Sequence, residues 1–219
     1  MKFNFIEFLK LEKEKDYFKK IVGFINNNQS QKIFPPKKQI FSAFENFDYD
    51  NLKVIIIGQD PYPTVNVANG LAFSINKSNP YLPMSLQNMF KELKKDYPNV
   101  VLKNGDLTSW KNQGVMLINT ILTVFEGRPL SHKNIGWEEF VINFLKEINE
   151  IQDNIIYIAL GGYARNFLSK LNLNNQILIS TSHPSPLGYN KGFENFHLFK
   201  RINQKLKDLG KSEIDWSIY

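Results

Sequence analysis

The chain has 219 residues, 42% hydrophobic and 14% aromatic, which is enough to fill both faces of a sheet in one compact domain and excludes a disordered or fibrous protein. Lys and Arg number 27 against 21 acidic residues, a net charge of +6 that attracts a polyanion without specifying one. Cysteine is absent, which excludes disulfides, thiolate zinc sites, cysteine-ligated iron–sulfur clusters and cysteine nucleophiles together.

The first segment, "MKFNFIEFLKLEKEKDYFKK", carries charges every few positions rather than a signal-peptide core, and no apolar run approaches the roughly 20 residues of a membrane helix. A soluble, cytoplasmic protein is the expectation. Helical periodicity covers Phe5 to Ile25, followed by a polar loop "NNNQSQ" and a second helical stretch from Lys38 to Phe44. The run "VIIIG" from Val54 predicts a buried strand. Helical spacing returns from Ser85 to Tyr97, a second strand is expected at "VMLIN" from Val115, and a helix from Trp137 to Ile148. A third strand at "IIYIAL" from Ile155, a helix from Tyr163 to Leu171, a fourth strand at "ILIST" from Ile177 and a helix from Phe196 to Leu209 complete the series. Strands free of alternation, separated by helices, predict an α/β fold: a single-domain α/β/α sandwich over residues 1–219 with a central, mainly parallel four-stranded sheet.

In such sheets ligands sit beyond the carboxyl ends of the strands, so those ends are where chemistry is sought. The first strand runs into "GQDPYP", where polar Gln59 and Asp60 are held beside prolines that restrict their neighbours to extended conformations. A turn made only to reverse the chain would need no such side chains. The second strand ends in Asn119 and the fourth leads to His183 in "TSHPSPLGY"; the third ends in "GG" and delivers no obvious reactive group. An acid, an amide and an imidazole thus converge on one edge. The three histidines, His132, His183 and His197, have no metal-ligand spacing; His132 reads as a loop residue and His197 as a helix-face residue.

At these positions the sequence resembles the family 1 uracil-DNA glycosylases. The likeness is carried, in order, by "FPPKKQIFSAF" at Phe34, "GQDPYP" at Gly58, "NGLAFS" at Asn69, "MSLQNMFKEL" at Met84, "GDLTSW" at Gly105, "QGVMLINTILTV" at Gln113, "SHKNIGWEEF" at Ser131, "HPSPLGYNKGF" at His183 and "IDW" at Ile214. The long first motif and the HPSPL block are the specific ones. Pro63 and Asn69 stand where the family usually has histidine, Gly188 follows the wedge leucine where relatives often have serine, and the stretch before Ser85 reads "NPYLPMS".

The resemblance implies hydrolysis of the bond between uracil and deoxyribose in DNA, the opening step of base-excision repair, by a monofunctional enzyme. No lysine stands in the catalytic motifs for a Schiff-base lyase step. As that bond stretches the sugar becomes cationic and the base anionic, so a site should oppose charge with charge. Asp60 is implied as the carboxylate beneath the sugar, orienting a water, and His183 as a neutral N–H donor to the 2-carbonyl. Asn119 offers a donor and an acceptor that match the imide face of uracil and mismatch cytosine. Tyr62 is implied to fill the space of a thymine methyl, Phe73 to stack on the base, and Gln59 to contact it. For DNA, Ser85 and Ser185 in loops are implied as phosphate contacts, Leu187 as the wedge left in the stack, and Lys191 as an assisting cation. The resemblance further implies uracil-containing DNA, single or double stranded, as partner, a proteinaceous uracil-glycosylase inhibitor, a monomeric state, and no metal or other cofactor. The alternative from another class is a catalytically weakened uracil-DNA or single-strand DNA binding module on the same scaffold, with Pro63 as the weakening change.

Overall fold

A computed structural model describes residues 2–219. In chain order the elements are α1 (Phe5–Glu14), α2 (Asp16–Asn27), β1 (Ile33–Phe34), β2 (Val54–Gly58), α3 (Met84–Asp96), α4 (Thr108–Lys111), β3 (Val115–Asn119), β4 (Val124–Phe125), α5 (Trp137–Ile151), β5 (Ile156–Leu160), α6 (Gly161–Leu168), β6 (Ile177–Thr181) and α7 (Leu198–Asp208). Single 3₁₀ turns lie at Lys37–Gln39, Tyr49–Asn51 and Tyr189–Lys191.

The four strands expected from sequence form one parallel sheet in the order β3-β2-β5-β6. β2, β3 and β5 are buried along their whole length, which is why none shows polar alternation. At about 25 cal/mol per Å², each buried Val or Ile of β2 is worth roughly 2 kcal/mol over an exposed one. β6 departs from the expectation: as the sheet edge it is only partly buried, and Leu178 is 50% exposed.

The chain leaves β2 for β3 on one side, returns across β2 to β5, and continues outward to β6. With right-handed crossovers this puts α3 and α4 on one face of the sheet and α5 and α6 on the other. Aromatic clusters match that division: Phe8, Phe44, Phe140 and Phe144 meet in one, and Trp110, Phe199 and Trp216 in another. Because β2 and β5 send their chains in opposite directions, a crevice opens between their carboxyl ends.

Several helical expectations are corrected. The first helix is two helices, broken where Lys15 adopts an extended conformation (φ −75, ψ 146). Asn4 caps the first of them, its side-chain oxygen accepting the N–H groups of Ile6 and Glu7. The stretch Lys38 to Phe44 is no α-helix but a 3₁₀ turn followed by further turns. The N–H groups of Ile40, Ser42 and Phe44 reach carbonyls three residues back rather than four, and Lys111 Nζ donates to the carbonyls of Ser42 and Glu45 at the end of these turns, each at 2.6 Å. Two elements carried no sequence signal: the two-residue antiparallel pair of β1 with β4, and the single-turn α4.

Candidate active site

The loop after β2 is held from below by the loop after β3. The Gln59 carbonyl accepts the Ile121 N–H at 2.9 Å and the Thr120 hydroxyl at 3.1 Å, and Thr120 Oγ1 is in turn bonded to Tyr163 Oη at 2.8 Å. This anchorage presents Asp60, half-buried, at the sheet edge, where its Oδ2 accepts the Leu130 N–H at 2.7 Å. Burial raises the Asp60 pKa above the usual carboxylate range, and the N–H groups of Leu130 and of Asp60 itself partly offset it. Pro63 supplies no side-chain donor; its carbonyl accepts the Gly127 N–H at 2.8 Å, which fixes the start of the segment carrying Leu130.

A second loop, residues 69–75, closes over β3. Ala72 N–H donates to the Leu117 carbonyl at 3.0 Å, tying this loop to β3, an edge strand of the sheet. Asn69 organises the turn: its amide donates to Ser74 Oγ at 2.8 Å and the Ile75 carbonyl at 3.0 Å, and its oxygen accepts the Leu71 N–H. Asn69 therefore serves loop positioning here. Phe73 sits at φ 63, a backbone state that an aromatic residue adopts only when its surroundings enforce it. Tyr62 Oη donates to the Phe73 carbonyl at 3.3 Å, tying this loop to the one bearing Asp60.

Asn119 ends β3 level with Gly58 of β2, and its amide oxygen lies over that glycine. A Cβ on Gly58 would come within 2.2 Å of Asn119 Oδ1 and 2.7 Å of Ala72 Cβ, so glycine is required for the amide to lie there.

The third component comes from beyond β6. Ser185 N–H donates to His183 Nδ1 at 3.0 Å, so Nδ1 is an acceptor and the neutral ring carries its proton on Nε2. Burial lowers the His183 pKa, which favours the neutral ring. Two glycines make room for this loop. Gly161, at φ 88, passes close enough that a Cβ would lie 3.0 Å from His183 Cβ, and a Cβ on Gly188 would lie 2.4 Å from the His183 carbonyl. The "GG" after β5, which delivers no reactive group, thus admits one from the neighbouring strand. The His183 ring stands 5.8 Å from the Phe73 ring, tilted by 37°.

Tyr62, Phe73 and His183 are joined by direct contacts, half-buried Gln59 and Asp60 share the Tyr62 loop at the end of β2, and Asn119 stands at the neighbouring end of β3. A groove of about 690 Å³ runs outward from His183 past Ser185, Leu187 and Lys191, bounded also by Arg165. Asp60 and Asn119 lie outside its lining. Leu187 is 84% exposed at its rim. Ser85 is corrected from a loop residue to the first turn of α3, and Asn88, one turn further on, donates to the Pro184 carbonyl at 2.7 Å, joining α3 to the His183 loop. His197 is not on a helix face but precedes α7 in a left-handed conformation, its Nδ1 2.8 Å from Asp96 Oδ1. The backbone N–H of Leu130 and the Thr120–Tyr163 pair were not evident in the sequence, which marks no backbone donor.

A carboxylate, a neutral imidazole N–H, an aromatic ring and an amide can together hold a flat heterocycle and stabilise opposite charges at its two ends. The family model described as "Uracil DNA glycosylase superfamily" matches residues 44–207. Uracil-DNA glycosylase of Mycoplasmopsis pulmonis is 45% identical over 213 residues, covering 96% of each chain, and that of Borrelia hermsii 45% identical over 213 residues, covering 96% of this chain and 95% of its own. The crystal structure of mimivirus uracil-DNA glycosylase superposes with a TM-score of 0.88 at 27% identity, covering 97% of this chain and 86% of that one. A single-substitution variant of the mimivirus protein, in complex with UGI, gives 0.89 at 27% identity, covering 100% and 89%. The chain belongs to the uracil-DNA glycosylase superfamily.

Proposed function

We propose that this chain hydrolyses the N-glycosidic bond of deoxyuridine in DNA, releasing free uracil and leaving an abasic site. The observation that carries the reading is the meeting of Phe73 and His183 from distant segments, with Tyr62 linking the same loop to Asp60. Uracil, rotated out of the stack, lies on Phe73 with its 2-carbonyl toward the Nε2–H of His183. Asn119 pairs with the imide N–H and 4-carbonyl, and Gln59 contacts the base. Tyr62 occupies the place of a 5-methyl group and so rejects thymine.

As the bond lengthens, ionised Asp60 stabilises the cationic sugar and orients the attacking water, while the imidazole N–H meets the charge gathering on the base. A single such donor is worth about 3 kcal/mol of barrier. Neutral His183 suits this role: its Nδ1 is committed to the Ser185 N–H, leaving Nε2–H as the only proton to offer. The two groups come from loops anchored independently, so neither needs to be reorganised when charge develops.

The DNA backbone follows the groove at Ser185 and Lys191 and the first turn of α3 at Ser85, with Leu187 entering the vacated stack position. The whole chain serves as one catalytic domain, and the same face takes a proteinaceous inhibitor of the kind bound by the mimivirus relative. The test is release of free uracil from an oligonucleotide holding one deoxyuridine, beside matched deoxycytidine and thymidine strands. Release from the first alone is the expected result; tight binding of uracil DNA without release would identify a binding module instead.

A further inference from the structure

The segment between β4 and α5 contains a buried histidine that the reaction chemistry leaves unused. His132 has no exposed surface. Its Nδ1 is bonded to Thr123 Oγ1 at 2.7 Å, and Trp137 Nε1, in the first turn of α5, donates to the same hydroxyl at 2.6 Å. Its Nε2 has no hydrogen-bond partner among the described residues, and the ring stands edge-on to Phe125 and Phe24 at 4.3 and 5.0 Å. A buried polar atom without a partner costs stability, and an aliphatic side chain would fill such a site without that cost.

His132 belongs to the tight loop 128–133, and its ring is that loop's side-chain bond to Thr123. Ser131 N–H donates to the Arg128 carbonyl at 3.2 Å, Lys133 N–H to the Leu130 carbonyl at 2.9 Å, and Phe125 N–H to Ser131 Oγ at 2.8 Å. Within this loop Leu130 adopts φ 61, unfavourable for a branched aliphatic residue, and it is this residue whose N–H reaches Asp60 Oδ2 at 2.7 Å. The strained residue and the buried pin are two positions apart.

We infer that His132 is a positioning residue: through Thr123 and Trp137 it locks loop 128–133 so that the Leu130 N–H is aimed at the Asp60 carboxylate. The inference rests on the reading of Asp60 as the group that stabilises the sugar. Arg128 is the charged neighbour of His132; Thr123, Trp137, Phe24 and Phe125 around it are neutral. Around the Asp60 carboxyl are the N–H groups of Leu130 and of Asp60 itself, Tyr163 from α6, and, beyond Tyr163, Glu138 from α5. A donor to the carboxylate favours its ionised form, so releasing the loop should raise the Asp60 pKa.

The experiment compares wild type with His132→Leu, Thr123→Val and His132→Asn, the last keeping an amide near the Nδ1 position. Single-turnover uracil release is followed against pH, the Asp60 carboxyl is titrated by ¹³C NMR, and the thermal midpoint is recorded. For His132→Leu and Thr123→Val the acid limb and the Asp60 titration should both move up by about one pH unit, with KM unchanged and the loss of rate larger at low pH than at high. His132→Asn should restore the wild-type profile, and His132→Leu should melt no lower than wild type. A folded His132→Leu variant with an unmoved Asp60 titration, or one whose only change is a lower midpoint, would overturn the inference. Wild-type release by Asp60→Asn would instead refute the catalytic reading, and the carboxyl titrations would still decide the positioning claim.

Discussion

Replacing Gly58 by Ala tests whether the placement of Asn119 matters to the reaction. The added Cβ would lie 2.2 Å from Asn119 Oδ1, whereas ordinary van der Waals contact begins at 3.4 Å, so the amide must retreat by at least about 1 Å. Ala72 Cβ, at 2.7 Å, blocks escape of the new methyl on the other side. Gly58 is not among the glycines with positive φ, so the change adds no backbone strain and acts through crowding alone. Overpacking of this kind costs about 1–3 kcal/mol of stability, which leaves a folded protein to assay. A 1 Å misplacement of a binding group costs about 10²-fold in rate. The assay is single-turnover uracil release by Gly58→Ala, Asn119→Ala and the double variant. If displacement of the amide is the cause, Gly58→Ala should cost little more once Asn119 is already Ala. A folded Gly58→Ala enzyme within about threefold of wild type would refute the reasoning.

Asn119→Asp should weaken the preference for uracil over cytosine, because a carboxylate offers no N–H to a 4-carbonyl; competition between the two substrates measures it, and unchanged selectivity would remove Asn119 from recognition. Asn69→Ala leaves Ser74, Ile75 and Leu71 groups without their partner in a buried turn and should cost about 3 kcal/mol in chemical denaturation, with a drop in rate as the Phe73 loop loosens. Burial and Arg128 hold the His132 pKa at about 4 against an ordinary 6.5. The unfolded chain therefore takes up this proton first, so the contribution is complete above pH 6.5 and about 3 kcal/mol is lost as pH falls to 4. His132→Leu should flatten that part of the stability–pH curve, and an unchanged slope would contradict the burial.

The sheet was legible because buried parallel strands leave unbroken apolar runs, and Val54–Gly58, Val115–Asn119 and Ile156–Leu160 appear where those runs stand. The break at Lys15 was not, since charged residues suit both a helix surface and its interruption. The turns after Pro36 were hidden for another reason: spacing of apolar residues does not separate bonds three residues back from bonds four residues back, and the Lys111 contact that closes the stretch comes from far away in sequence. Side chains at strand ends could be assigned to a common edge from topology alone, as with Asp60, Asn119 and His183. The groups that orient them could not. Leu130 acts through its backbone, and Gly58, Gly161 and Gly188 act by what they lack, so their meaning appears only when neighbouring segments are placed against them.

The central claim is that a carboxylate held at the end of β2 stabilises the sugar as it becomes cationic. Burial raises the Asp60 pKa, so activity should rise with pH through a limb lying above that of an ordinary carboxylate and fall away as pH drops through it. The most direct measurement is single-turnover uracil release by wild type and Asp60→Asn across pH, with DNA affinity measured by fluorescence anisotropy on the same substrate. The account expects the variant to bind DNA as wild type does, to lose the acid limb, and to release uracil at least about 10²-fold more slowly. A variant with the wild-type rate and the same acid limb would contradict it.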